Sequence, residues 1–346
     1  MPIGEENKIN SCCIQQRCPA WKYCHGCDER GCLFLSCDRQ CWKCFWVCHR
    51  RNNLAGWLED VGDINLERKY NIHTDPLEIT DSYIPTLLPT PGNDPEVINA
   101  CCISARRIFS PNTLNPLTED LQDYFHLNPG TVTILTFYAK DTFLENIWTY
   151  RMTKHFYDRI RLLKVDYVIS VNFSNYLEIP HLEYYTNIKR SLLMLEKFCL
   201  WHKTILDVCS PNDATRDAYL KIILNHPIKS LGFNFQLAKN NVVKEKSKNE
   251  IIFFDSRLPK DIDFLITGLV NRKYLPEIFQ KCPERKIIFT TSGPSVMAGH
   301  YNLKGNDKIL TKEKAHGIFR DELKRKQKII QEAKNEKSKN RPPEPA

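Results

Sequence analysis

Ten of the fifteen cysteines lie between Cys12 and Cys48, with His25 among them and His49 directly after. At this density in a reducing compartment, thiols bind metal more often than they form disulfides. Two C-x2-C knuckles, Cys24 with Cys27 and Cys41 with Cys44, are thirteen residues apart. That is ribbon spacing, in which each knuckle gives two thiolates to one tetrahedral Zn2+. Cys18, Cys32, Cys37 and Cys48 remain for a second ion, with Cys12 and Cys13 in reserve. One or two zinc ions are therefore expected. The stretch "CDRQCWKCFWVCHRR" also contains Cys37, Cys41 and Cys44 in the C-x3-C-x2-C spacing that holds a [4Fe–4S] cluster in radical S-adenosylmethionine enzymes. This alternative lacks its usual context. In those enzymes the triad follows the first barrel strand, whereas here only the short "CLFLS" precedes it and no "GGEP"-like stretch comes after.

A second set of chemistry-bearing residues follows apolar runs further on. In "AKDTFLENIW", Asp141 and Glu145 form a carboxylate pair able to act as acid and base, or as nucleophile and helper. A T-x-x-E capping box over Thr142 and Glu145 accounts for the same residues structurally. Asn172 and Ser174, in "NFSNYLEIP", offer donors to an anionic or amide-bearing ligand. Arg190 and Asn234 are candidates for substrate or phosphate contact. So are Ser292 and Gly293 in "TTSGPS", a turn placed where barrels often cradle phosphate. H-E-x-x-H, G-x-S-x-G, the P-loop and G-x-G-x-x-G are all absent, which leaves zinc-protease, serine-hydrolase and dinucleotide-binding readings without support.

These residues need elements to position them. "TVTILTFY", "DYVISVNF", "KTILDVC", "SLGFNF", either "EIIFFDS" or "DFLITGLV", and "RKIIFTTS" read as buried strands. Helical periods separate them, among them Phe143, Ile147, Phe156, Ile160 and Leu163. After "KTILDVC", Ser210 as N-cap and Pro211 at the first position predict a helix start. Such alternation predicts an α/β fold, a (β/α) barrel-like domain of about six to eight units, with an open doubly wound sheet as the alternative. The expected organisation is a Cys-rich metal-binding module (1–52), a Pro-punctuated connector packing on the body (53–130), the barrel-like domain (131–310) and a basic helical tail (311–346). With few apolar positions beyond Phe319, the tail is expected to protrude unless a partner covers it.

The net charge is +8, and the ends carry the excess. Residues 320–341 hold nine Lys/Arg against four Asp/Glu, and residues 12–51 hold seven against three. Basic ends on a near-neutral body suit nucleic acid as partner. No run approaches a membrane span and the N-terminus has no apolar signal core, so a cytoplasmic protein without a membrane partner is expected.

The order of features, a Cys-rich head, then "GWLEDVGDINL", "SYIPTLLP", "YAKDTFLENIW" and "VISVNFSNYLEIPHLEYYTNIKRS", resembles an uncharacterised family scattered through bacterial phages and mobile elements. The resemblance spans roughly residues 20–300; the tail, Cys12 and Cys13 depart from it. It implies no established reaction, and its phage association favours work on nucleic acid. Three functions are compatible with these features. The first is a zinc-binding barrel protein that modifies or exchanges a base in nucleic acid or a nucleotide. The second is a non-enzymatic zinc-dependent module binding nucleic acid or protein, and the third is a radical S-adenosylmethionine enzyme.

Overall fold

The computed structural model describes residues 54–62, 64–151, 154–173, 181–210, 212–236, 240–303 and 311–339. The Cys-rich head, with every cysteine of the zinc and iron–sulfur readings, lies outside the described residues, as does Ser174. Eight parallel strands close into a barrel: β1 (Tyr83–Leu87), β2 (Ala100–Ser104), β3 (Val132–Thr136), β4 (Tyr167–Ile169), β5 (Lys203–Val208), β6 (Ser230–Asn234), β7 (Asp263–Thr267) and β8 (Ile287–Thr291). Each pairs with the next, and β8 returns to β1 through Tyr83 opposite Phe289 and Ile84 opposite Thr290. Closure fits the composition of the strands, which are apolar on both faces because helices cover the outside and side chains fill the inside. The barrel expectation is met and the open sheet is not.

The helices are α1 (Leu54–Val61), α2 (Leu121–Phe125), α3 (Asp141–Tyr150), α4 (Lys154–Leu162), α5 (His181–Phe198), α6 (Asp213–Asn225), α7 (Asn241–Asp255), α8 (Leu275–Lys281), α9 (Gly293–Leu303) and α10 (Lys312–Lys339). Two compact units contain them. The barrel unit holds residues within 71–172, 194–208 and from 223 onward; the described part of the other lies within 54–70, 173–193 and 209–222.

Several local expectations shift. β1 and β2 fall in the stretch read as connector, whose prolines and short apolar runs hide two strands of five residues each. "EIIFFDS" belongs to α7, so "DFLIT" is the seventh strand. α6 starts at Asp213 rather than after Ser210, and Asn212 caps it by accepting from the Thr215 N–H at 3.0 Å.

The barrel base is plugged from within the chain. Leu77 and Ile79, just before β1, pack among the interior side chains of Ile84, Ile134, Ile205 and Leu265. The plug is tied down by its backbone: the Leu77 N–H donates to Asp263 Oδ2 (2.7 Å), Tyr167 OH donates to the Pro76 carbonyl (2.9 Å) and Lys286 Nζ donates to the Leu77 carbonyl. Among the described residues this closes the interior at the amino ends of the strands.

The basic tail does not protrude. α10 buries Ala315, Phe319, Leu323 and Ile330 along one face and packs on α8, α9 and β1. Phe319 and Leu323 each contribute about 1.5–3 kcal/mol by leaving water. Arg320 pairs with the buried Asp94 and with Glu96, and Arg272 of the β7–α8 loop pairs with Glu332 at 2.9 Å. The tail is a covering helix of the barrel, and part of its charge is spent there.

Candidate active site at the barrel mouth

Strand side chains alternate in and out. Two residues beyond the apolar interior positions Ile84, Ile134, Ile205, Leu265 and Ile288 come Thr86, Thr136, Asp207, Thr267 and Thr290. The barrel interior thus ends, toward its mouth, in a ring of hydroxyls around one carboxyl group. Thr86 and Thr290 bond to each other through their hydroxyls at 2.8 Å, and the Thr136 hydroxyl donates to the Ile103 carbonyl at 3.4 Å. The Thr267 hydroxyl, 1% exposed, lies at the Tyr138 phenol and as a hydrogen-bond partner partly offsets the rise in that phenol's proton affinity.

Asp207 is only 2% exposed. Tyr138, two residues past β3, donates its phenol proton to Oδ1 at 2.7 Å, and Asn172, beyond β4, donates from Nδ2 to Oδ2. The Asp207 N–H is held by Ser170 Oγ at 2.9 Å. Burial pushes the carboxyl up to about 7, against the two donors that favour its anion, and Glu250 adds to the push. Burial and the Asp207 charge raise the Tyr138 phenol well above its usual range, so it remains a donor. Burial also pushes the Cys102 thiol up to about 12, partly opposed by Thr290, which leaves it protonated and a poor nucleophile.

Gly232 makes room for this arrangement. A Cβ on it would stand 3.2 Å from Tyr138 Oη and 3.3 Å from Asp207 Oδ1. With no side chain from β6, the Tyr138–Asp207 bond crosses the mouth unobstructed.

The residues singled out from the sequence fare differently. Asn172 is in the site. Asp141 is exposed in the first turn of α3, three residues beyond Tyr138, and Glu145 is half-buried one turn on. Lys140, not Thr142, occupies the N-cap of α3, and no side chain caps it, so the proposed capping box is not formed. Asn234 ends β6 and accepts the Gln236 N–H at 3.2 Å.

Arg190 is fully buried in the smaller unit, 4.4 Å from the centre of the Trp57 ring and 3.9 Å from that of Phe173, with its Nη1 donating to Asn187 Oδ1. That burial gives it a packing role in place of phosphate contact. Ser292 and Gly293 open α9, but the Gly293 N–H already bonds Thr291 Oγ1 and Pro294 has no N–H. The Glu322 carboxylate lies 3.3 Å from where a Gly293 Cβ would be, so this glycine serves the close approach of α10.

Asp207, Tyr138, Gly232 and Thr267 completed the site without having been chosen as site residues. Two of them carried signals: an ionisable residue inside the apolar run "TILDV", and a glycine inside a strand, which marks close approach. Among the described residues no group of three or more His, Cys, Asp or Glu is placed to hold a metal, and no helix is long and apolar enough to cross a membrane. A cleft of about 320 Å³ at the base, lined by Gly130, Thr131, Lys164 and Asp166, offers less chemistry, because Asp166 Oδ2 already accepts from the Thr133 N–H and hydroxyl. Neither a protein-family model nor a curated protein matches this chain, and the mouth geometry carries the functional reading.

Proposed function

We propose that the barrel is an enzyme acting on a base of nucleic acid or of a nucleotide, with Asp207 as its acid–base group. The observation that carries this is a buried carboxyl raised to about 7 in the centre of a barrel mouth, bonded to Tyr138 and Asn172. Such a group exists in both protonation states near neutral pH, the condition that favours general acid–base catalysis. Its stability cost has no use in a scaffold, which favours an enzyme over a non-enzymatic module.

Among the described residues the ring around Asp207 carries hydroxyl and amide groups and no cation. It suits a neutral heterocycle with amide edges better than a phosphate. In base exchange, Asp207 gives its proton to a ring nitrogen of the departing base as the C–N bond breaks. It takes a proton back from the incoming base as the new bond forms. Asp141 and Glu145, on the helix that follows Tyr138, are the candidates for the carboxylate that holds the sugar carbon between the two steps.

The head completes the reading as a zinc ribbon on Cys24, Cys27, Cys41 and Cys44, with Cys18, Cys32, Cys37 and Cys48 for a second ion. Since β1 begins at Tyr83, the Cys37–Cys41–Cys44 triad precedes the first barrel strand, which weighs against the radical alternative. Zinc and iron per chain, measured with a visible spectrum on anaerobically purified protein, decide the metal; iron with absorbance near 400 nm removes the zinc head.

The activity is tested by following radiolabelled guanine, adenine, cytosine and uracil into DNA and into bulk RNA. Incorporation that is lost in Asp207→Asn is the expected result. Incorporation unchanged in Asp207→Asn, or none by the wild type with any base, overturns the reading.

A further inference from the structure

Asp207 lies inside the mouth, where a base stacked in a duplex cannot reach it. Whatever presents that base must be gripped outside the mouth, by the loops and first helical turns that follow the strands. Those segments carry Arg106 and Arg107 after β2, Lys140 after β3, Lys244 and Lys246 after β6, and Lys273 after β7. None of these six makes an ion pair among the described residues, and all but the half-buried Lys244 are exposed.

Their positions run against helix electrostatics. Lys244 and Lys246 sit near the start of α7, whose first turn has no acidic residue, and Lys140 is the N-cap of α3, where only Asp141 offsets it in the first turn. A helix N-terminus is the positive end of the macrodipole and ordinarily attracts carboxylates; cations there are repelled until an anion joins them. At the base the cations beside the strand starts are instead neutralised: Lys203 by Glu78, Lys229 by Asp261, Lys286 by Asp263 and Arg285 by Asp255.

We infer that the rim of the mouth is a docking surface for the phosphodiester backbone of single-stranded or locally opened nucleic acid. Cations on the β2, β3, β6 and β7 loops hold the phosphates flanking the base that enters toward Asp207. This rests on the proposed base chemistry for its orientation, and it moves the nucleic-acid grip from the tail, which is engaged with the barrel, to the mouth.

The test uses the full chain and a fluorescent mixed-sequence oligonucleotide, single-stranded or annealed, with affinity measured across a range of salt. Expected is tighter binding of the single strand, with a slope of log K against log salt that falls by about 0.7 for each cation removed in Arg106→Gln/Arg107→Gln and Lys244→Gln/Lys246→Gln. Lys197→Gln and Lys281→Gln, equally exposed and unpaired at helix ends by the base, leave the slope unchanged.

Rim variants that keep the wild-type slope overturn the inference, as does a duplex that binds as tightly as the single strand. Equal competition by polyglutamate overturns it too, marking the rim as a site for acidic protein. Asp207→Asn separates the two readings: oligonucleotide binding intact with base incorporation also intact sinks the proposed chemistry and leaves the docking rim standing.

Discussion

The two ends of the barrel are built from the same kinds of residue to opposite purposes. At the base, Asp263 at the start of β7 and Lys286 just before β8 are used together: the carboxylate takes the Leu77 N–H and the ammonium takes the Leu77 carbonyl. Arg285, with no side-chain exposure, is bonded to Asp255 and to the carbonyls of Leu258 and Ile262. These charges are paired and hydrogen-bonded, as stability requires of buried groups. At the mouth, Asp207 is buried between two neutral donors with no cation, while six rim cations make no ion pair among the described residues. One end spends its polar groups on folding, and the other withholds them, which is what a site that must meet a ligand requires.

The largest effect expected is on turnover. Asp207→Asn removes the proposed acid–base group and is expected to lower base incorporation about 10²–10⁴-fold, as read by the labelled-base assay. The same variant sharpens the comparison through stability. Asp207 has an ordinary value of about 4 and is held at about 7 in the folded chain. Between these pH values the folded state binds the proton that the unfolded state has lost, so wild-type stability falls as pH rises through that window and the penalty is complete above about 7. Asp207→Asn does not share that loss, and its melting temperature relative to wild type rises from pH 4 to pH 8. A difference independent of pH would mean that the carboxyl titrates normally.

The base behaves in reverse. Leu77→Ala opens a cavity under the barrel core and costs about 2–5 kcal/mol in denaturant unfolding, with single-strand affinity of the folded protein unchanged. Loss of that affinity in folded Leu77→Ala protein would show that the two ends are not independent. Gly232→Ala puts a methyl 3.2 Å from Tyr138 Oη and 3.3 Å from Asp207 Oδ1. It costs about 1–3 kcal/mol by overpacking, and base incorporation falls by more than that loss of stability explains. The smallest change is Tyr138→Phe. It removes a donor that favours the Asp207 anion, so the carboxyl titrates above its wild-type value and the pH profile of turnover shifts to the alkaline side. A shift to the acid side would mean that the phenol was not stabilising the anion.

Local patterns announced the barrel. Apolar runs such as "TVTILTFY" and "DFLITGLV", separated by amphipathic periods, carry their structure in propensity and spacing, and both contain strands. The strands that escaped notice, "YIPTL" and "ACCIS", are short and lie among prolines, and only their pairing with β8 and β3 makes them strands. Asn172 was legible in the site because polar residues just past a barrel strand face the mouth. Arg190 and Gly293 fit the same positional logic but are claimed by packing, one between Trp57 and Phe173 and the other beneath α10.

What the sequence determined by itself is therefore the alternation of elements, the concentration of cysteines in the first fifty residues and the basic character of both ends. These are sums over local residues, readable without knowing what touches what. The tertiary structure alone decided that α10 covers the barrel, that Leu77 plugs its base, and that Tyr138, Asn172 and Asp207 meet over Gly232. Asp207 is thirty-five residues from Asn172 and sixty-nine from Tyr138. A carboxyl's proton affinity depends on the burial and the donors around it, and in this chain those are supplied by three different strand ends that only barrel closure brings together.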